Sequence, residues 1–241
     1  MIRSSVLFLL FAVAGAPAAF AADESSSLGS VWTIHVEAKD SAQYIDYLKS
    51  HQDLFENTGA SSAGYCLVRA GQSYPGQIFV WSFYSNFEEA LTATAKNTLD
   101  PKAAKELAQL RELKYTAGWQ VLKSFELAPG YERVWRITVA PENLQEFIGL
   151  LGQMEKAAQA NGHPNVQFAA FSPVGGGPIE AGKIMVRAIA ATPADLGKYI
   201  DDVNTQPKWA RKIGSKALSL IAGLSDDTIE SCEQIYTPAA Q

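Results

Sequence analysis

The chain has 241 residues, of which 47% are hydrophobic and 19% charged, and its formal net charge is −5. That length is enough to bury one large core or two small ones. A mildly acidic chain without a Lys/Arg-rich tract lacks the electrostatic footprint of a nucleic-acid binder, so that partner class is set aside.

The chain starts with Arg3, an uncharged apolar run from Val6 to Val13, and small residues ending in Ala19-Phe20-Ala21. This is the pattern of a secretory signal peptide over residues 1–21, because the run is too short to span a bilayer. No later stretch approaches membrane-spanning length, and no cysteine follows the cleavage site for a lipid anchor. The expectation is an exported protein, periplasmic or secreted, with no membrane attachment after cleavage. Residues 22–30 are polar and read as a flexible N-terminal tail.

The next stretch, VWTIHV at Val31 to Val36, returns as VWRITV at Val134 to Val139, an offset of 103 residues. The offset persists: Tyr44, Ile45 and Leu48 fall on Phe147, Ile148 and Leu151, and Tyr65 falls on Phe168. After a three-residue insertion, Gly76 to Val80 falls on Gly182 to Val186. Agreement at successive elements in one order indicates two copies of one unit, residues 31–127 and 131–237, joined near Ala128-Pro129-Gly130.

Each copy opens on a β-rich run (Val31 to Ala38; Val134 to Ala140) and continues into a helical pattern with apolar residues three and four apart. Asp40 and Pro141 suit the helix starts. Two short strands follow in each copy, Gly64 to Arg69 with Gln77 to Tyr84, and Val166 to Phe171 with Lys183 to Ile189. SYPG and PVGGGP read as the turns between them. A broken helical region comes next, restarted by Pro101 or Pro207. The last strand is expected near Gln120 to Leu127 and Thr228 to Tyr236. The order βαββαβ is that of a ferredoxin-like split βαβ unit, an α+β fold.

In this doubled order the chain resembles the dimeric α/β barrel superfamily, which includes antibiotic-biosynthesis-type monooxygenases, haem-degrading enzymes, muconolactone isomerase and stress-responsive barrel proteins. The resemblance covers nearly all of the chain after residue 30 and rests on pattern rather than on a signature motif. It implies that the two ferredoxin-like repeats close into one intrachain α/β barrel, so that a monomer contains its own pseudo-dimer; a higher oligomer is left open.

Strand alternation sorts the residues onto two faces. Trp32, Ile34 and Val36, with Trp135, Ile137 and Val139, suit a helix-covered face. The opposite face carries Thr33, His35 and Glu37 with Phe79, Trp81 and Phe83 in the first copy. In the second it carries Arg136, Thr138, Met185 and Arg187. The resemblance implies that this mixed face lines the barrel interior. Buried arginines need partners, which Glu37 and Glu230 could supply. A bound carboxylate or phosphate, suited to a guanidinium fork, could do so instead.

The catalytic candidates are His35 as a general base, Glu37 orienting it and Trp81 stacking on a substrate; the alternative is a plainly hydrogen-bonded histidine. The ligand-binding candidates are Arg136, Arg187, Phe79 and Thr138. Trp81 stands where the haem-degrading branch has a tryptophan. The accompanying first-strand asparagine is absent, however, and the helix after Tyr84 has no histidine. No cofactor is therefore expected. His51 and His163 read as solvated, and three scattered histidines make no metal site. Gly175-Gly176-Gly177 leads into a strand and is no phosphate cradle.

In an oxidising compartment Cys66 and Cys232 are expected to pair. The resembling barrels imply that their strands are neighbours across the joint. Three functions remain open. One is a non-catalytic barrel that binds a small apolar or acidic organic ligand in its interior. The second is a cofactor-independent monooxygenase or isomerase. The third is a stress or interaction protein with a filled barrel.

Overall fold

The computed structural model describes residues 28–96 and 99–238. The signal peptide expected at residues 1–21 and most of the expected tail lie outside them. The tail's last residue, Ser30, already belongs to a strand, and its hydroxyl donates to the Asn86 carbonyl at 2.8 Å.

The first repeat supplies β1 (Ser30–Ala38), β2 (Ser62–Ala70), β3 (Gln77–Tyr84) and β4 (Arg111–Lys123). The second supplies β5 (Gly130–Val139), β6 (Gln167–Val174), β7 (Ile184–Ala190) and β8 (Ile221–Tyr236). They form a closed barrel in the order β1-β3-β2-β8-β5-β7-β6-β4, each described pairing antiparallel. Each repeat therefore contributes its own four strands with its first strand central. The two joints, β2 with β8 and β4 with β6, pair the second strand of one repeat with the last of the other. Closure removes the two sheet edges that a lone repeat would expose.

Helices cover the outside: α1 (Ser41–Ser50), α2 (Asp53–Glu56), α3 (Phe87–Lys96) and α4 (Pro101–Leu110) on the first repeat. The second has α5 (Leu144–Ala160), α6 (Gly177–Glu180), α7 (Pro193–Asn204) and α8 (Lys208–Ser219). Their starts are written in the sequence. Asp40 accepts from the Gln43 amide, Asp100 precedes Pro101 and accepts from the Lys102 and Ala103 amides, and Thr192 precedes Pro193. Each satisfies amides that the first helical turn leaves free.

Three boundaries differ from the sequence expectation. β4 begins at Arg111 rather than Gln120, because α4 stops at Leu110 and Arg111 is already extended at φ −147°, ψ 159°. From there the odd-numbered Tyr115, Ala117, Trp119 and Val121 alternate toward the interior. β4 ends at Lys123, and the chain to Gly130 is irregular. β8 starts at Ile221 rather than Thr228; the intervening Ser225, Asp226 and Asp227 are residue types depleted in strands, which hid the extension. The expected PVGGGP turn is shared between the end of β6 and the start of α6, which runs to Glu180.

Three apolar layers result. The barrel interior holds Phe79, Trp81, Trp119, Phe171, Met185 and Ile189. Outside the sheet, the first repeat buries Val36, Tyr44, Leu48, Ile78 and Val80 beneath its helices. The second repeat buries Phe147, Leu151, Met154, Phe168, Leu196 and Tyr199 beneath its own.

Candidate functional site

His35, Thr33 and Arg136 face the interior and are buried. The His35 ring lies between Tyr115, 4.0 Å away and nearly parallel, and Phe79 at 5.3 Å. Its Nε2 is 3.1 Å from Thr33 Oγ1, which also accepts from Trp119 Nε1 at 2.9 Å and donates to the Ala117 carbonyl at 3.2 Å. With the hydroxyl proton spent on Ala117, Nε2 is the protonated nitrogen and Nδ1 keeps a lone pair. Nδ1 is buried with no partner among the described residues. Burial, reinforced by the positive charges of Arg136 and Arg187, holds this imidazole well below its ordinary pKa. His35 is a neutral core histidine.

Glu37 does not orient it. Its carboxylate pairs instead with Lys114 at 2.6 Å, across the neighbouring strand pair and half exposed. Nor does Glu37 pair with either interior arginine. Trp81 stands opposite Thr33 in register, with its ring over the backbone of Gly64, where a Cβ would come within 2.4 Å of Cζ2. Thr138, expected inside, is exposed, next to a register irregularity at the end of β5.

Both interior arginines have protein partners. Arg187 bridges Glu132 and Glu230, and its Nη2 also lies 3.4 Å from Cys232 Sγ and 3.6 Å from Cys66 Sγ. Arg136 meets Glu180 at 2.9 Å and Asp226 at 3.2 Å. Glu180, the buried residue of α6, also accepts from the Tyr115 hydroxyl at 2.8 Å. These guanidiniums are therefore not free to take a ligand anion. Glu230 was legible as a partner, whereas Glu132 and Glu180 were not. The cavity left inside is about 50 Å³, walled by Phe79, Trp81, Phe125, Phe171, Met185 and Arg187, and His35 is not on its wall. That is room for a few waters.

Cys66 and Cys232 face each other in register on β2 and β8 and form a disulfide. With Glu132 they are the one grouping of three metal-type donors among the described residues. The sulfurs, bonded to each other, offer no thiolate.

A larger opening lies outside the barrel, between the sheet and the helices of the first repeat. It measures about 240 Å³ and is walled by Ile34 and Val80 of the strands, Tyr44 and Leu48 of α1, Phe55 of α2, Ala93 of α3, Leu107 of α4, and Arg111. Leu99, 40% exposed, also lines it, so this side of the cavity meets solvent. Tyr44 is wholly buried, and burial pushes its hydroxyl pKa up to about 12, partly offset by Arg111. The Arg111 guanidinium lies over the Tyr44 ring, 5.6 Å from its centroid. The Tyr44 hydroxyl and Arg111 Nη1 are buried neighbours, and neither makes a well-formed hydrogen bond among the described residues.

The corresponding layer of the second repeat is filled. Phe147 replaces Tyr44, Ile221 stands at the start of the last strand where the first repeat has Arg111, and Trp209 packs against the layer. An opening of similar size there is walled by residues of α5, α7, α8 and the α7–α8 connection and reaches no strand. His163, expected to be solvated, is buried against Tyr199 and Trp209, with Nε2 2.9 Å from Asp202.

No protein-family model and no curated protein matches the chain. Solved structures do match in shape. An anthrone oxidase-like protein superposes with TM-score 0.55 at 10% identity, covering 89% of this chain and 99% of that one. A candidate monooxygenase from Lactobacillus acidophilus gives 0.57 at 6%, with 86% and 95% covered. The fold is that of a tandem dimeric α/β barrel. A variant chlorite dismutase from Candidatus Nitrospira defluvii matches this tandem barrel with TM-score 0.52 at 9% identity, covering 87% of this chain and 93% of that one. At such identities the likeness is one of fold alone.

Among the described residues the wall of the first-repeat cavity has no histidine, cysteine or methionine, and its Tyr44 holds its proton. The described wall of this cavity therefore offers no axial ligand for a haem.

The state of His35 has a measurable consequence. Its folded pKa lies below the ordinary 6.5, so the unfolded chain binds this proton before the native one does. The stabilisation is complete above about pH 6.5 and is lost as pH falls toward the folded value, by about 1.4 kcal/mol per pH unit. Urea titrations at pH 7.5 and 5.5 are expected to show this loss in the wild type and to show it reduced by about that slope in His35→Phe.

Proposed function

We propose that this tandem barrel is a binding protein that holds a small organic molecule in the helix–sheet cavity of its first repeat, without turnover. One observation carries the reading: an opening reaches the sheet in one repeat, while the equivalent layer against the sheet of the other is packed with Phe147, Tyr199 and Trp209. A duplicated unit needs no opening against its sheet to fold, since the opening of the second repeat lies among α5, α7 and α8 and reaches no strand. Leaving apolar walls uncontacted costs stability, of the order of 24 cal/mol per Å³ of cavity, and a ligand offsets that cost.

Binding is favoured over catalysis by the chemistry of the wall. Among the described residues it offers phenols, short hydroxyls and a guanidinium, but no histidine and no carboxylate. It therefore lacks the usual general bases. His35 is no substitute, lying on the opposite face of the same strand from Ile34. Export is part of the proposal, supported by the residue 1–21 pattern and by a disulfide of the kind that persists in oxidising compartments.

Ala93 lines the cavity from α3, so Ala93→Phe projects a ring into it. A panel of one-ring aromatic and short aliphatic compounds, each as the acid and as its neutral amide, is expected to contain members that raise the wild-type Tm by mass action. Ala93→Phe is expected to abolish those shifts. A panel that moves no wild-type Tm, or shifts that survive in Ala93→Phe, would contradict the reading.

A further inference from the structure

We infer that the first-repeat cavity selects an organic monocarboxylate with a short apolar body, anchored by Arg111 and Tyr44. The inference rests on the binding reading above and adds the chemical class. A buried donor without a partner costs the desolvation of that group, about 1–3 kcal/mol and more when it is charged. Two donors without a well-formed hydrogen bond among the described residues, the Tyr44 hydroxyl and Arg111 Nη1, border one cavity. Among the described residues no carboxylate pairs with Arg111, in contrast to Arg133, Arg136 and Arg187, which all have one. The guanidinium can only donate and the Tyr44 hydroxyl has a proton to donate, so one acceptor satisfies both, and the guanidinium makes that acceptor an anion.

The rest of the wall fixes the remainder of the molecule. Ile34, Leu48, Phe55, Val80 and Leu107 contact apolar groups. At about 240 Å³ the cavity is smaller than the pockets that take drug-sized ligands. A single ring or a short alkyl chain fits that description. One guanidinium with one hydroxyl balances a carboxylate, while a phosphate dianion would keep an uncompensated charge against an apolar wall. The second repeat supplies the internal comparison. Where its layer is filled, the hydroxyl is absent at Phe147 and Ile221 begins the strand in place of arginine. The two polar groups occur where the opening reaches the sheet and are missing where it does not.

The test uses 3-phenylpropanoate and octanoate against their amides, titrated calorimetrically into the full mature protein. Each acid is expected to bind at least about tenfold more tightly than its amide, the effect of one hydrogen bond to a charged group. Arg111→Met is expected to remove that preference while leaving amide binding in place. Tyr44→Phe is expected to weaken the acid by about threefold to tenfold. Thermal melts of both variants establish that they fold, and Arg111→Lys, which keeps the charge, is expected to recover part of the preference. Amides binding as tightly as acids, or an acid preference that survives Arg111→Met, would overturn the carboxylate assignment and leave the binding reading standing. If neither acids nor amides bind the wild type, the binding reading fails, and this inference with it.

Discussion

Replacing Arg187 by alanine is expected to cost about 3–5 kcal/mol of stability, the range for removing one partner from a buried ion pair. The cost arises from what remains. Glu132 and Glu230, both buried in the barrel, would be left facing each other without the guanidinium between them. Burial already pushes the Glu132 carboxyl upward in pKa against the opposing pull of Arg187, so the variant would take up protons more readily on folding. A matched triple substitution, Glu132→Gln, Arg187→Met and Glu230→Gln, is expected to recover most of the loss, because the penalty lies in unpaired charge rather than in the absence of a salt bridge. Urea unfolding of the wild type, the single variant and the triple variant at pH 7 measures both. A single variant as stable as the wild type would mean that the interior is wet.

Removing the disulfide is the second large effect. The bond between Cys66 and Cys232 spans 166 residues and ties β2 of the first repeat to β8 of the second. On the chain-entropy account a closed loop of that length contributes about 5 kcal/mol, chiefly by restricting the unfolded chain. Cys66→Ala with Cys232→Ala is therefore expected to lower the denaturation midpoint strongly while keeping the native spectrum. The long antiparallel pairings β5–β8 and β2–β8 hold the joint without it. Mass measurement with and without reductant supplies the control: the oxidised wild type should be lighter than the reduced protein by two hydrogens. An unchanged midpoint in the double variant would assign the bond no stabilising role.

These two substitutions act on parts of the fold that were unequally visible in the sequence. The repeat at an offset of 103 residues and the period-two alternation in VWTIHV and VWRITV made the barrel and its two faces legible. Alternation is forced by strand geometry, so it survives divergence. Cys66 opposite Cys232 followed once the repeats were joined as the resembling barrels are. The partners of the interior arginines were only partly readable. Glu230 lies on a strand, where facing can be counted. Glu180 enters through a four-residue helix in a glycine-rich loop, where no periodicity says where a side chain points.

The candidate site was hidden for a related reason. Tyr44 fits the apolar spacing of α1, and only its alignment with Phe147 carries a signal, one hydroxyl that packing alone does not require. Arg111 lay in a stretch read as broken helix; its position became clear only when α4 ended at Leu110. His35 drew attention as the unusual residue of its strand. The ring is instead a neutral part of the packed interior, held by Thr33 and stacked on Tyr115. A sequence shows which groups are chemically able, whereas space beside them depends on every neighbouring volume.

The most direct measurement is a crystal structure of the protein bound to whichever panel compound raises its Tm most. Density is expected between the sheet and α1, α3 and α4, with its polar end against Arg111 and Tyr44 and the barrel interior unchanged. Density inside the barrel beside His35 and Trp81, or in the second repeat, would contradict it.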